Sequence, residues 1–311
     1  MQRNILIVGS SNTDMVIKAG HLPVPGETIL GGTFLMNPGG KGANAAVSAA
    51  RLGANVVFIC KTGNDVFGHQ SIAIFKDAGI DVSHIVTDAD NPSGVALITV
   101  DRDGENCIVV ASGANATLSP GDLTGIEDLV ASSAAVLMQL EIPLSTVQYV
   151  AALAFQKGVK VILNPAPACE IPDELLRYVS IITPNKTEAE MLTGIKVFDL
   201  QSAKSAAAAL SSKGIATVII TMGSMGALVL HDNVYDHIPA VPVDSIDTTA
   251  AGDVFNGALA VALSEDKDII QATRFACMAA AISVTKLGAQ ASAPSKQELE
   301  AFIAVLENSI G

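Results

Sequence analysis

Short apolar runs alternate with Ala-rich stretches along almost the whole chain. Ile5–Val8, Val56–Cys60, Ala135–Met138, Val159–Leu163, Ile181–Thr183 and Val218–Thr221 are brief, apolar or β-branched, and closed by turn residues. That is the pattern of buried strands. Between them, residues 42–52, 65–78, 143–156, 187–193, 201–213, 252–263 and 267–284 carry helical periodicity. Strands too apolar to face water, each followed by a helix, predict an α/β fold: a parallel-type central sheet with helices on both faces. Such sheets hold ligands at the carboxyl ends of their strands, so the segments after each strand are the places to look for chemistry.

Two segments break the rhythm. Residues 14–36 contain Pro23, Pro25, Gly26, Gly31 and Gly32, with short extended pieces such as Thr28–Leu30. Residues 93–111 read as a hairpin: Val95–Val100, a turn through Asp101, Arg102, Asp103 and Gly104, then Cys107–Val110. Neither segment has a helix to pack on. Together they predict a small β-sheet lid over the strand ends, inserted into a single domain spanning residues 1–311. Lids of this type exclude water during transfer chemistry.

Composition removes several function classes. Half of the residues are hydrophobic and 16% are charged, which excludes a disordered chain. The 31 acidic and 18 basic residues give a net charge of −13, and the bases are scattered singly. Such a field repels phosphate backbones, so no nucleic-acid partner is expected. The uncharged run Gly214–His231 is broken by Gly223 and Gly226, so no membrane span is expected. Cys60, Cys107, Cys169 and Cys277 are far apart and form no CxxC. With no secretory pattern at residues 1–9, a cytoplasmic, reducing location is expected.

Six strand-following segments carry groups with chemical use. Asp247-Thr248-Thr249-Ala250-Ala251-Gly252-Asp253 runs into a helix. Small residues there leave several backbone N–H groups aimed one way, an anion site helped by the helix dipole. An aspartate at that mouth suits a base that takes a proton while the amides hold developing charge. Asp and Thr before a helix are also ordinary N-caps. Asn37-Pro38-Gly39-Gly40-Lys41-Gly42-Ala43-Asn44 either lets backbone approach a ligand closely or is a glycine turn into a helix. Its Gly40-x-Gly42-x-x-Ala45 spacing matches a dinucleotide fingerprint but lacks an acid about 20 residues on at a strand end. Asn12 and Asp14 lie two apart after the first strand, facing one polar pocket or building a side-chain-bonded turn. Glu141 binds hydroxyls or is a solvated loop residue. Asn164-Pro165-Ala166-Pro167 closes a strand, as does Thr183-Pro184-Asn185-Lys186-Thr187-Glu188. Asn185 and Glu188 share one helix-start face, either as site residues or as an N-cap with its supporting acid. Thr221–Gly226 is a hairpin turn, or a flat floor under a base and phosphates. Groups suited to hydroxyls lie in the first 44 residues and at Glu141, while the anion site and glycine turn lie in residues 185–253. The division predicts two ligands meeting at the strand ends, a polyol and a phosphate donor.

These motifs resemble those of the PfkB family of carbohydrate kinases, also called the ribokinase family. Gly39–Asn44 is similar to the family's first signature and Asp247–Gly257 to its second. Asn164–Ala168, Thr183–Glu188 and Thr221–Gly226 resemble it too, and the likeness runs from residue 5 to about residue 305. The resemblance implies ATP-dependent phosphorylation of D-ribose at O5, with Asp253 as the base and the amides of Ala250, Ala251 and Gly252 as an anion hole. It implies that Asn12, Thr13, Asp14, Gly40, Lys41, Gly42, Ala43, Asn44 and Glu141 hold the sugar. Asn185, Glu188, Thr221, Met222, Gly223, Ser224, Met225, Gly226, Gly252 and Cys277 would lie along ATP and the water shell of its Mg2+. A K+ ion would sit beside the anion hole on Asp247, Thr249, Ser283, Lys286, Gly288 and Ser292, mostly through main-chain oxygens. The lid would pair with that of a second subunit, giving a homodimer. Ala250-Ala251 stands where many relatives carry Gly-Ala, and Cys277 where His or Asn often flanks the adenine. Asn12 argues for ribose over 2-deoxyribose. The alternatives are a kinase of the same family acting on 2-deoxyribose, fructose or a nucleoside, and a non-catalytic sugar or nucleotide sensor. Only Phe34 of the nine Phe falls in the lid and Trp is absent, which leans towards a small polar sugar rather than a base.

Overall fold

The apolar runs form strands and the Ala-rich stretches form helices, as their periods dictate. The computed structural model describes residues 3–310. Its strands are β1 Ile5–Val8, β2 Asn12–Lys18, β3 Thr33–Gly39, β4 Val56–Ile59, β5 Lys61–Gly63, β6 Val86–Asp88, β7 Gly94–Val100, β8 Asn106–Ala111, β9 Ala135–Met138, β10 Lys160–Leu163, β11 Ile181–Ile182, β12 Thr217–Thr221, β13 Ala227–His231 and β14 Val234–Ile238. Its helices are α1 Lys41–Arg51, α2 Val66–Asp77, α3 Glu127–Ser132, α4 Leu144–Gln156, α5 Asp173–Leu176, α6 Lys186–Thr193, α7 Leu200–Ser211, α8 Ala251–Ser264, α9 Ile269–Ser283, α10 Ala289–Ser292 and α11 Lys296–Ile310.

Eight strands make the central sheet, in the order β14-β13-β12-β11-β10-β9-β1-β4. From β4 to β12 every pairing is parallel, with Ile5 of β1 opposite both Val56 and Ala135. Strands β1, β4 and β9 are buried along their whole length because both faces are covered. Leu6, Val8, Val136 and Met138 pack into a core with residues of α4 and α7. Ile5, Ile7, Ala135 and Leu137 pack into another with α1, α8 and α9. Each of these Ile, Leu, Val and Met side chains contributes roughly 1.5–3 kcal/mol of apolar burial.

The sheet is mixed rather than wholly parallel. β12, β13 and β14 form an antiparallel meander. Residues 222–226 are too few for a parallel crossover, so the hairpin is forced by chain length.

A second sheet lies apart, in the order β3-β2-β7-β8. β2 pairs antiparallel with β3 and parallel with β7, and β7 pairs antiparallel with β8. Thr28–Leu30, expected as an extended piece of this region, lies in no strand. Gly31 and Gly32, at φ 100° and 99°, turn the chain first, and the return strand starts at Thr33. Among the described residues, no helix is long and apolar enough to cross a membrane.

Candidate active site

The chain leaves β1 at Val8 and enters the second sheet at Asn12, so Asn12, Thr13 and Asp14 stand where the two sheets meet. Strand alternation puts Asn12 and Asp14 on one face of β2 and Thr13 on the other. Thr13 therefore does not share their pocket, and it is buried. Asn12 Oδ1 accepts a 2.8 Å hydrogen bond from Asn115 Nδ2. Asn115 is itself locked to the backbone of Ser11 through both ends of its amide. Nothing in the sequence around Asn115 marked it.

The start of α1 crosses the end of β1. Ala43 N–H donates to Ser10 O at 2.9 Å, and a Cβ at Gly42 would lie 2.7 Å from Gly9 Cα. Gly40, at φ 89°, turns the chain from β3 into this helix. Gly42 and Ala43 thus serve close packing, and Ala43 is in the core. Glu141, after β9, is a held carboxylate: its Oε2 accepts from Ser10 Oγ at 2.5 Å and from Lys41 N at 3.1 Å. Ser10 was not singled out in the sequence, yet it ties β1 to Glu141.

Asp253 lies in the first turn of α8 and is 4% exposed. Its Oδ2 accepts from Asn44 Nδ2 at 2.9 Å, while Asn44 Oδ1 is buried with no protein donor. Burial pushes Asp253 up to about 6, against the pull of Lys41 and the Asn44 hydrogen bond. Burial, with Glu141 and Asp253 nearby, pushes Asp14 up to about 6 as well. Burial also raises Glu188. Desolvation acts to lower Lys41, but Asp253, Glu141, Glu188 and Asp14 outweigh it and its ammonium is held above the usual range.

Two cavities meet here. A polar one of about 210 Å³ is lined by Lys41, Asn164, Thr183, Asn185, Glu188, Asp253 and Asn256, among others. A larger, mostly apolar one of about 540 Å³ is lined by Gly223, Ser224, Gly226, Cys277 and Val284 and by the wall Ala240–Val243. Thr221, Thr248, Ala251 and Gly252 line both, so the cavities join at the start of α8. The wall Ala240–Val243 was missed; its signal was a short apolar run between β14 and Asp247. Asn164 and Thr183 stood in motifs that close strands and resemble the family's, but neither was assigned a site role. Met222 and Met225, expected along the nucleotide, instead pack their side chains into or against the core, while Gly223 and Ser224 are the exposed residues of the hairpin 222–226.

Asn185 and Glu188 satisfy both of their sequence alternatives. Asn185 Oδ1 caps Glu188 N at 2.9 Å and Glu188 Oε2 accepts from Asn185 N at 2.8 Å, while both residues line the polar cavity. At the α8 start, Ala250 sits at φ 60°, a left-handed conformation. Ala251 N–H is turned into a 3.2 Å bond with Thr248 O. The amides of Gly252 and Asp253 donate to no protein acceptor among the described residues.

Beside this mouth, Asp247 joins two loops: Oδ1 accepts from Thr249 N and Oδ2 from Gly288 N, each at 2.9 Å. Burial would raise this carboxyl, but those bonds hold it below its usual range. Lys286 turns its ammonium away to Glu298 at 2.7 Å. The hydroxyls of Ser283 and Ser292 donate to Ala280 O and Ala289 O. Carbonyl oxygens and one carboxylate remain, which is the donor set of a hard cation. Among the described residues, no cluster of three or more His, Cys, Asp or Glu is arranged to hold a metal.

A polar cavity holding Glu188 and Asp253, joined at a helix N-terminus to a larger apolar one, is the architecture of a small-molecule kinase. The chain belongs to the pfkB family of carbohydrate kinases, which matches residues 2–296. It is 48% identical over 303 residues to the ribokinase of Haemophilus influenzae, covering 97% of this chain and 99% of that one. It is 34% identical to the deoxyribokinase of Salmonella typhimurium, covering 98% and 100%. Among solved structures it is similar to Arabidopsis thaliana ribokinase complexed with ribose and ATP, with a TM-score of 0.91 and 32% identity, covering 97% and 99%. It is also similar to Thermotoga maritima ribokinase, with a TM-score of 0.90 and 39% identity, covering 97% and 99%.

Proposed function

We propose that the protein transfers the γ-phosphoryl group of ATP to O5 of D-ribose, giving ribose 5-phosphate and ADP. The observation that carries this reading is the placement of Asp253: buried, bonded to Asn44, and lining the polar cavity next to Gly252, where that cavity joins the apolar one. The ribokinase relatives, one of them bound to ribose and ATP, support the choice of substrates.

The chain's own groups supply the chemistry. Ribose lies beside the polar cavity, on the side of Lys41 and Asp253 where β2, the start of α1 and the loop after β9 meet, against Asn12, Asp14, Gly40, Lys41, Asn44 and Glu141. Asp253 takes the O5 proton as that oxygen attacks the γ-phosphorus; a carboxyl near 6 is ionised at neutral pH and still basic enough to accept it. Lys41 and the amides of Ala250 and Gly252 stabilise the charge on the phosphoryl oxygens, and Ala251 joins by giving up its bond to Thr248. The nucleotide base lies in the apolar cavity against Cys277, with Thr221, Gly223, Ser224 and Gly226 beneath it. Mg2+, bound with the nucleotide, would spread the phosphate charge, and Glu188 and Asn185 would hold it through water. K+ would be held by oxygens of Asp247, Thr249, Ser283, Lys286, Gly288 and Ser292.

The chain 1–311 acts as one domain, with the second sheet as its lid, in the cytoplasm. The lid face away from Asp14 carries Ile17, Phe34, Met36, Leu97 and Val109, all exposed. A second copy covers that apolar face, making a homodimer. Rates of ATP consumption with ribose test the substrate. Sedimentation of Leu97→Glu tests the dimer, since a charge there yields monomers and an unchanged mass overturns the lid contact.

A further inference from the structure

Asn256 and Thr183 carry no role in the mechanism above, yet both line the polar cavity and each is 2% exposed. Asn256 Nδ2 donates to Gly252 O at 2.8 Å, and its Oδ1 accepts from Thr183 Oγ1 at 2.7 Å. Thr183 follows β11 directly, and its N–H is fixed to Leu163 O at 3.0 Å, so its hydroxyl is anchored to the central sheet. That hydroxyl has one proton. With Asn256 at 2.7 Å and Leu163 O at 3.4 Å, the proton goes to Asn256. This sets the amide: Oδ1 faces Thr183, and Nδ2 faces Gly252.

Gly252 O shares a planar peptide with the N–H of Asp253, and across a trans peptide the two point in opposite directions. Fixing the carbonyl therefore fixes the aim of that N–H, which donates to no protein acceptor among the described residues. The first turn of a helix lacks intrahelical partners for its amides, so their direction depends on what holds the carbonyls. We propose that Thr183 and Asn256 form a positioning couple that aligns the Gly252–Asp253 peptide on the phosphoryl group during transfer. The inference rests on the phosphotransfer reading of the site.

The test compares Thr183→Val, Thr183→Ser and Asn256→Asp. Removing one such donor costs on the order of 100-fold or more, so misaiming it should lower kcat by roughly 10- to 100-fold. Thr183→Val should show that loss with KM for sugar and ATP within about threefold of wild type. Thr183→Ser, which keeps the hydroxyl, should restore kcat. Asn256→Asp keeps the acceptor for Thr183 but sets an oxygen against Gly252 O, and should lose kcat like Thr183→Val. Melting curves establish that each variant is folded, and Asn256→Asp carries the test alone should Thr183→Val not fold. Binding of ADP with aluminium fluoride, followed by calorimetry, should weaken with kcat while ADP alone binds as before. Wild-type kcat in the folded valine variant, equal losses in the serine and valine variants, or a rise in KM at constant kcat would overturn the couple. The wild-type rate with ribose tests the substrate separately, and the aluminium fluoride titration reads the couple whichever sugar is correct.

Discussion

Asn44 Nδ2 lies 2.9 Å from Asp253 Oδ2, although the two residues are 209 positions apart in the chain. The bond exists because α1 and α8 approach closely. A Cβ at Gly257 would lie 2.7 Å from Ala45 O, so any larger residue there would push the helices apart. The bond occupies one carboxylate oxygen of Asp253 and leaves the other for a substrate proton.

Asp253→Asn should keep ribose binding and lower turnover by ~10²–10⁴-fold, the range of general-base assistance. It should also raise the melting temperature at pH 8, because the amide has no charge to bury. Initial rates, a ribose titration and a melting curve check the three parts. A near wild-type rate would remove Asp253 as the base.

Turnover should rise with pH through about 6, as Asp253 loses its proton. Stability without ligands should run the other way. Asp14 and Asp253 hold protons to about 6 when folded, against 3.8 when unfolded. Between pH ~4 and ~6 the folded state binds more protons, so stability falls with rising pH, by on the order of 2 kcal/mol per group. Glu298, held down to about 2, works in the opposite sense and only at lower pH: its contribution is lost as pH falls through that value. Denaturant titrations at pH 4.5 and 7 should show the decline, and Asp14→Asn should reduce it.

Much of the central sheet was legible because its strands are continuous apolar runs and its helices carry whole turns of Ala-rich pattern. The last edge strand, β14, was less so, since it is largely exposed and reads as loop. α3, six residues long, is too short to show a period, and α11 packs little on the core, with Leu299 buried and Phe302 and Ile303 half-buried. At the site, residues carried by strand ends and helix starts stood out: Asn12, Asp14, Lys41, Asn44, Glu141 and Asp253. Ser10, Asn115 and Asn256 did not, because each acts by bonding a residue distant in sequence. The side-chain directions of Thr13, Met222 and Met225 depend on pleat and hairpin geometry that motif spacing does not contain.

Potassium should activate the enzyme over sodium, with residual potassium excluded. Asp247→Asn, which can accept only one of the bonds from Thr249 N and Gly288 N without reorienting, should need more potassium for half-activation. Equal rates in both salts would remove the cation site.

Ala250→Gly should stabilise the protein by roughly 0.5–1 kcal/mol, because a φ of 60° is strained for Ala and free for Gly. Turnover should stay within about twofold of wild type, since the backbone path is kept. An unchanged or lower melting temperature would show that the left-handed turn is not strained.

The central claim is tested most directly by ATP consumption with ribose, 2-deoxyribose, fructose, adenosine and no sugar, in magnesium and potassium. The account predicts turnover with ribose well above every other arm, and ribose 5-phosphate as the product. Preference for another sugar, or no turnover above the sugar-free rate, would contradict it.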